Sequence, residues 1–133
     1  MTEDFTVFQQ ENILVLLCFS DVAASAIVGT VDLDLFGRRI YRRVAEAAYR
    51  FFKEENKAIR DHIYDELETE LNSDEGETYK TVLENIYKAR ESINEKYVIK
   101  QISKFISSRN LMADITKAAK LLQEGDLDKA EEV

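Results

Sequence analysis

One histidine, one cysteine and a surplus of carboxylates are the groups this sequence offers to chemistry. A thiol nucleophile wants a base beside it, and His62 is the only histidine that could serve Cys18. Cys18 sits in the apolar run Ile13-Leu14-Val15-Leu16-Leu17-Cys18-Phe19, where a thiol is expected to be buried and inert. A ferritin-type di-iron bundle needs two Glu-x-x-His motifs on facing helices; one histidine cannot supply two, and the residue three before His62 is Ile59. One Cys and one His do not make a zinc site either. His62 is expected to be an exposed or half-buried helix residue.

ATP hydrolysis needs a glycine-rich phosphate cradle ending in Gly-Lys-Ser/Thr. The glycines are Gly29, Gly37, Gly76 and Gly125, and none precedes a lysine in such a loop. This chain is therefore not a motor, and dinucleotide binding fails on the same shortage. Acidic pairs such as Asp65 with Glu66, Glu68 with Glu70, and Glu131 with Glu132 are expected on solvated faces of an acidic chain. Glycosidase chemistry would need one of them in a pocket with a raised pKa, and nothing in the sequence marks a pocket. No catalytic residue, cofactor or metal is assigned.

The charge feature that stands apart is Arg38, Arg39, Arg42 and Arg43. It opens a helix, where positive charge is mildly unfavourable against the dipole. One reading is a solvated face neutralised by acidic neighbours such as Glu46. The other is a docking patch for an acidic partner surface, or a weak contact with DNA backbone. A formal net charge of −8 and a pI of about 4.8 argue against a nucleic-acid-binding domain as a whole, because phosphate neutralisation needs a basic surface.

These residues have to be positioned by helices. The chain has no proline and four glycines in 133 residues, so it has few forced breaks. One domain with a real core is the prior at this length. Gln9 to Phe19 reads as a short buried helix, with Phe5 and Phe8 before it as docking aromatics. Ser20-Asp21 caps a second helix over Val22 to Val28, which Gly29 ends. Val31 to Leu35 alternates apolar and acidic residues without a partner strand and reads as an extended loop. Phe36 to Glu55 is amphipathic, with Phe36, Ile40, Val44, Ala47 and Phe51 on one stripe and Tyr41, Ala45, Ala48 and Phe52 on the next. Ile59 to Leu71 reads as one helix with Ile59, Ile63, Glu66 or Leu67, and Leu71 inward. Asn72 to Gly76 is a turn, and Thr78 to Ala89 is a helix carrying Tyr79, Val82, Leu83, Ile86 and Tyr87.

The last third carries the longest signal. Ile93 to Gln123 reads as one amphipathic helix on which Val98, Ile102, Phe105, Met112, Ile115, Ala119 and Leu122 share a face. About thirty residues of helix span about 45 Å, more than a globule of this size needs. The stripe Ile102, Phe105, Arg109, Met112, Ile115 and Leu122 is therefore the candidate oligomer interface. Arg109 either packs its stem and snorkels its head to water, or fixes register across that interface. The pattern breaks at Gly125-Asp126 and restarts at Leu127, like a helical hairpin cut after its first arm. The expectation is an all-α fold: a compact head over 1–92, then a linking helix and the start of a hairpin over 93–133 in the same domain. Ile13 to Phe19 is too short to span a membrane and follows Thr2-Glu3-Asp4, not a basic segment, so a cytoplasmic protein is expected.

In this order the features resemble the N-terminal domain of DnaB-type replicative DNA helicases, particularly divergent phage-like versions. The apolar helix Ile13–Phe19, then Ala23–Val28, then the loop Asp32–Phe36 match its opening. Arg39-Ile40-Tyr41-Arg42-Arg43-Val44-Ala45-Glu46-Ala47 looks like the family's helix that starts basic, apolar, aromatic. Ala58-Ile59-Arg60-Asp61-His62-Ile63-Tyr64-Asp65-Glu66-Leu67 is similar to the phrase that begins its next helix. Tyr97 to Arg109 resembles its long linking helix, and Ala118 to Asp126 the hairpin tip. The likeness runs over roughly residues 12 to 128 and lies in helices and apolar positions, without a catalytic signature. The family's proline-containing acidic phrase between its second and third helices is missing.

The resemblance implies a helical head with a hairpin that pairs between subunits, forming the collar of a ring whose ATPase motor lies downstream. It implies self-association and contact with primase or a helicase loader, with DNA contact weak or absent. A stand-alone helical adaptor or inhibitor that binds replication proteins is the alternative.

Overall fold

A computed structural model describes residues 5–108. The chain divides into two compact units, Met1–Val98 and Ile99–Val133. Among the described residues there are helices and turns and no strand. The fold class is all-α. No helix among them is long and apolar enough to cross a membrane.

Helix α1 (Val7–Phe19) starts on a capping box: Thr6 Oγ1 accepts from the Gln9 N–H at 3.1 Å, and Gln9 Oε1 accepts from the Thr6 N–H at 2.9 Å. From Ile13 to Cys18 every side chain is buried, which fits a helix apolar on all sides at the centre of the head. It packs on α2 (Asp21–Thr30), α3 (Arg39–Glu55) and α6 (Gly76–Ala89). Phe5 docks, 3% exposed, beside the Phe36 ring at 6.4 Å. Phe8 does not dock: it is 73% exposed, because it falls on the outer side of the first turn of α1.

Ser20 caps α2 through its hydroxyl, which accepts from the Ala23 N–H at 3.1 Å. Gly29 does not end this helix. The helix runs on to Thr30, and the Val31 N–H still reaches the Ile27 carbonyl at 2.8 Å. Val31 to Leu35 is not an extended loop either. Leu33–Leu35 forms a 3-10 turn, closed by the bonds Leu35 N to Asp32 O at 3.0 Å and Phe36 N to Leu33 O at 3.1 Å. The turn buries Val31, Leu35 and Phe36 and leaves Asp32 and Asp34 in solvent.

Helix α3 begins at Arg39, so Phe36 lies ahead of it, fully buried. Tyr41, Val44, Ala45, Ala47, Ala48 and Tyr49 are buried, while Ile40, Phe51 and Phe52 are half-buried. Small alanines at its centre let α3 lie close to α1. Tyr49 donates to the Val31 carbonyl at 2.6 Å. The helix ends at Asn56 in the left-handed region (φ 58°), a conformation asparagine tolerates.

Ile59 to Leu71 is not one helix. A 3-10 turn (Arg60–His62) leads into α4 (Ile63–Glu66), and α5 (Glu68–Leu71) follows a break at Leu67. Across the break Ile59, Ile63 and Leu67 are buried and Leu71 is half-buried, with Glu66 exposed. Asp21 ties this segment to α2, its Oδ1 accepting from the Ala58 N–H and the Arg60 guanidinium, each at 2.9 Å.

Helix α6 starts at Gly76, where the backbone folds so tightly that a Cβ would lie 2.1 Å from the Leu71 carbonyl oxygen. Its inner face is Tyr79, Leu83 and Ile86; Val82 is half-buried and Tyr87 is 42% exposed. Helix α7 (residues 95–108) follows, capped by Asn94, whose Oδ1 accepts from the Tyr97 N–H at 3.0 Å.

Candidate interaction surfaces

The arginine cluster lies where α3 begins. Arg38 is the residue before its first turn, and its side chain makes no capping bond. Two of the four cations at this helix N-terminus are held by carboxylates from elsewhere in the chain. Arg39 forms a two-pronged pair with Glu75, Nη1 donating to Oε1 at 2.8 Å and Nη2 to Oε2. The hydrogen bond from Arg39 holds the Glu75 carboxyl below its ordinary range. Arg43 donates from Nε to Glu70 Oε2 at 3.1 Å and stands 4.0 Å from Glu46. The neighbour the sequence offers, Glu46, is therefore present, but the closer partner is Glu70 on α5.

Arg42 donates from Nε to the Phe36 carbonyl at 3.0 Å, tying α3 back to the turn before it. The Arg38 guanidinium lies over the Tyr41 ring, 5.4 Å from its centroid, a cation–π contact. The Arg38 N–H donates to Gln10 Oε1 at 3.3 Å, while Gln10 Nε2 donates to the Phe5 carbonyl at 2.7 Å. Gln10 is 3% exposed and clasps the start of the chain to the start of α3. Among the described residues, neither Arg38 nor Arg42 has a carboxylate at ion-pair distance. Glu70 Oε1 is buried without a hydrogen-bond partner there.

Beside these cations a shallow groove of about 220 Å³ runs between the first turns of α3 and α6. Arg38, Arg39, Ile40, Tyr41, Thr78 and Val82 line it. The sequence carries no local signal for it, since its walls stand more than thirty residues apart in the chain.

Of the candidate oligomer stripe, Ile102 is buried and Phe105 half-buried on α7. Arg109, Met112, Ile115 and Leu122 lie outside the described residues, as do the hairpin tip and the restart at Leu127.

Cys18 and His62 differ in character. Cys18 is buried in α1, and desolvation pushes its thiol up to about 12, where it remains neutral. His62 has a side chain 67% exposed, stacks on Phe51 at 5.5 Å, and stands 3.8 Å from Asp65. Among the described residues no three His, Cys, Asp or Glu side chains converge as a metal would require. No family model matches this chain, and neither does any curated protein or solved structure.

Proposed function

We propose that this chain is the non-catalytic collar domain of a DnaB-type replicative DNA helicase, cytoplasmic, associating with copies of itself and contacting primase or a helicase loader. The observation that carries the reading is the layout. The apolar run Ile13–Cys18 of α1 is enclosed by α2, α3 and α6, and a newly capped helix then follows Asn94 and carries Ile102 and Phe105. That order supports the head-then-linking-helix arrangement which the sequence resemblance implies. The absence of a phosphate-binding loop from the sequence supports a role in assembly, with ATP chemistry elsewhere.

The test is the double substitution Phe105→Glu with Ile115→Glu, followed by light scattering and circular dichroism. The reading expects an oligomer that becomes monomeric while the head keeps its helical signal and thermal transition. Unfolding of the whole chain by these changes would make the stripe ordinary core and overturn the interface. An unassembled wild-type chain that binds a replication protein in purified form would instead favour the free-standing adaptor.

A further inference from the structure

We infer that the groove between the first turns of α3 and α6 binds an acidic segment of a partner protein, seating one aliphatic side chain between flanking carboxylates. Ile40, Tyr41 and Val82 give its lining an apolar part, and Arg38 and Arg39 line it with two cations. Arg38 is held over Tyr41 and has no carboxylate at ion-pair distance among the described residues. The pair that engages Arg39 is exposed on both sides, 69% and 43%, so solvent screens it and an incoming carboxylate competes for the same guanidinium.

Size and charge select the occupant. Small-molecule sites usually occupy about 300–1,000 Å³ and enclose their ligand. This groove, at about 220 Å³ and open to solvent, suits a side-chain anchor on an extended or helical segment. Nucleic acid is the weaker fit. Affinity for phosphate backbone grows with the number of cations that neutralise it. The chain carries −8 overall, and two of the cluster's four arginines are already paired with Glu75 and Glu70. Against that negative background, two cations beside apolar lining residues are locally complementary to acidic–aliphatic sequence. The inference rests on the partner-contact half of the proposed function and is independent of self-association, which is read by mass.

The experiment is an NMR titration of the ¹⁵N-labelled chain with a synthetic peptide in which glutamates flank a single leucine. Saturable shifts at the amides of Ile40, Thr78 and Val82 are expected. Replacing the glutamates by glutamines, or the leucine by serine, weakens binding at least about tenfold. Arg38→Glu, at an exposed position, does the same with the spectrum otherwise preserved, and Lys88→Glu, on α6 outside the groove, has no effect. No saturable shifts in the groove, equal binding of the glutamine peptide, or unchanged binding by Arg38→Glu would overturn the inference. So would an oligothymidylate that shifts the same amides more strongly than the peptide. A chain that binds the peptide as a monomer keeps the groove and loses the collar; an oligomer indifferent to the peptide does the reverse.

Discussion

Replacing Gln10 with methionine, a side chain of similar length without hydrogen-bonding atoms, should destabilise the head by about 2 kcal/mol. Gln10 is 3% exposed and makes two bonds to backbone, Nε2 to the Phe5 carbonyl at 2.7 Å and Oε1 from the Arg38 N–H at 3.3 Å. Each bond contributes about 1 kcal/mol net, and a buried group left without a partner costs about 1–3 kcal/mol. The shorter bond is the buried one, so its loss accounts for most of the cost. The added apolar contact of methionine offsets part of it, which leaves about 2 kcal/mol. If the first residues detach as well, the burial of Phe5 is lost, worth a further 1.5–3 kcal/mol at about 25 cal/mol per Å². Urea denaturation gives the free energy directly, and a thermal scan should fall by about 8 °C for a chain of this size. Gln10→Glu separates the two bonds. At neutral pH its carboxylate still accepts from Arg38 but faces the Phe5 carbonyl with no proton to donate. This variant should therefore be less stable than Gln10→Met at neutral pH and recover on acidification. A methionine variant within about 0.5 kcal/mol of wild type, the range of an ordinary surface change, would refute the clasp.

Gly76→Ala should cost at least about 2 kcal/mol, towards the upper part of the overpacking range, because the new methyl meets the Leu71 carbonyl oxygen at 2.1 Å and its carbon at 2.9 Å, both backbone; a cost under about 0.5 kcal/mol in urea would contradict the tight α5–α6 turn. Gly29→Ala should stabilise by about 0.5–1 kcal/mol, since Gly29 lies within α2 and its Cβ position is open. Destabilisation in the same assay would mean that the helix stops there. Asp21 is held below its ordinary value of 3.8 by hydrogen bonds from Arg60 and then from the Ala58 N–H. A depressed carboxyl contributes stability that is complete above the unfolded value and is lost as pH falls through the lower folded one. Asp21→Asn should therefore flatten the loss of stability below about pH 3.8, and an unchanged acid limb in chemical denaturation would show that the tie is idle.

Much of the helical head was legible in the sequence because periodicity reports burial. Tyr79, Leu83 and Ile86 fall at steps of four and three and are all buried. The apolar run Ile13 to Cys18 has no polar face and forms the centre of the head. Ser20 announces the cap it makes. The readings that failed were of two kinds, local and long-range. Gly29 looks like a stop, yet the tether from Val31 to Ile27 carries the helix past it. The run from Ile59 to Leu71 has a helical spacing throughout, yet it opens as a 3-10 turn and breaks at Leu67, where no proline or glycine marks the place. Of the arginine cluster, only the local contact with Glu46 could be read. Glu70 and Glu75 are brought to it by the fold of α5 and α6, as are the Thr78 and Val82 walls of the groove.

Self-association through the helix that follows the head is the proposal most open to direct test. Sedimentation equilibrium of the wild-type chain over a wide concentration range tests it most directly. The mass of a dimer or larger is expected, falling towards the monomer on dilution, with Phe105→Glu and Ile115→Glu together pinning the chain at the monomer. A wild-type monomer persisting to about 1 mM, where association stronger than about −4 kcal/mol would be visible, would contradict it.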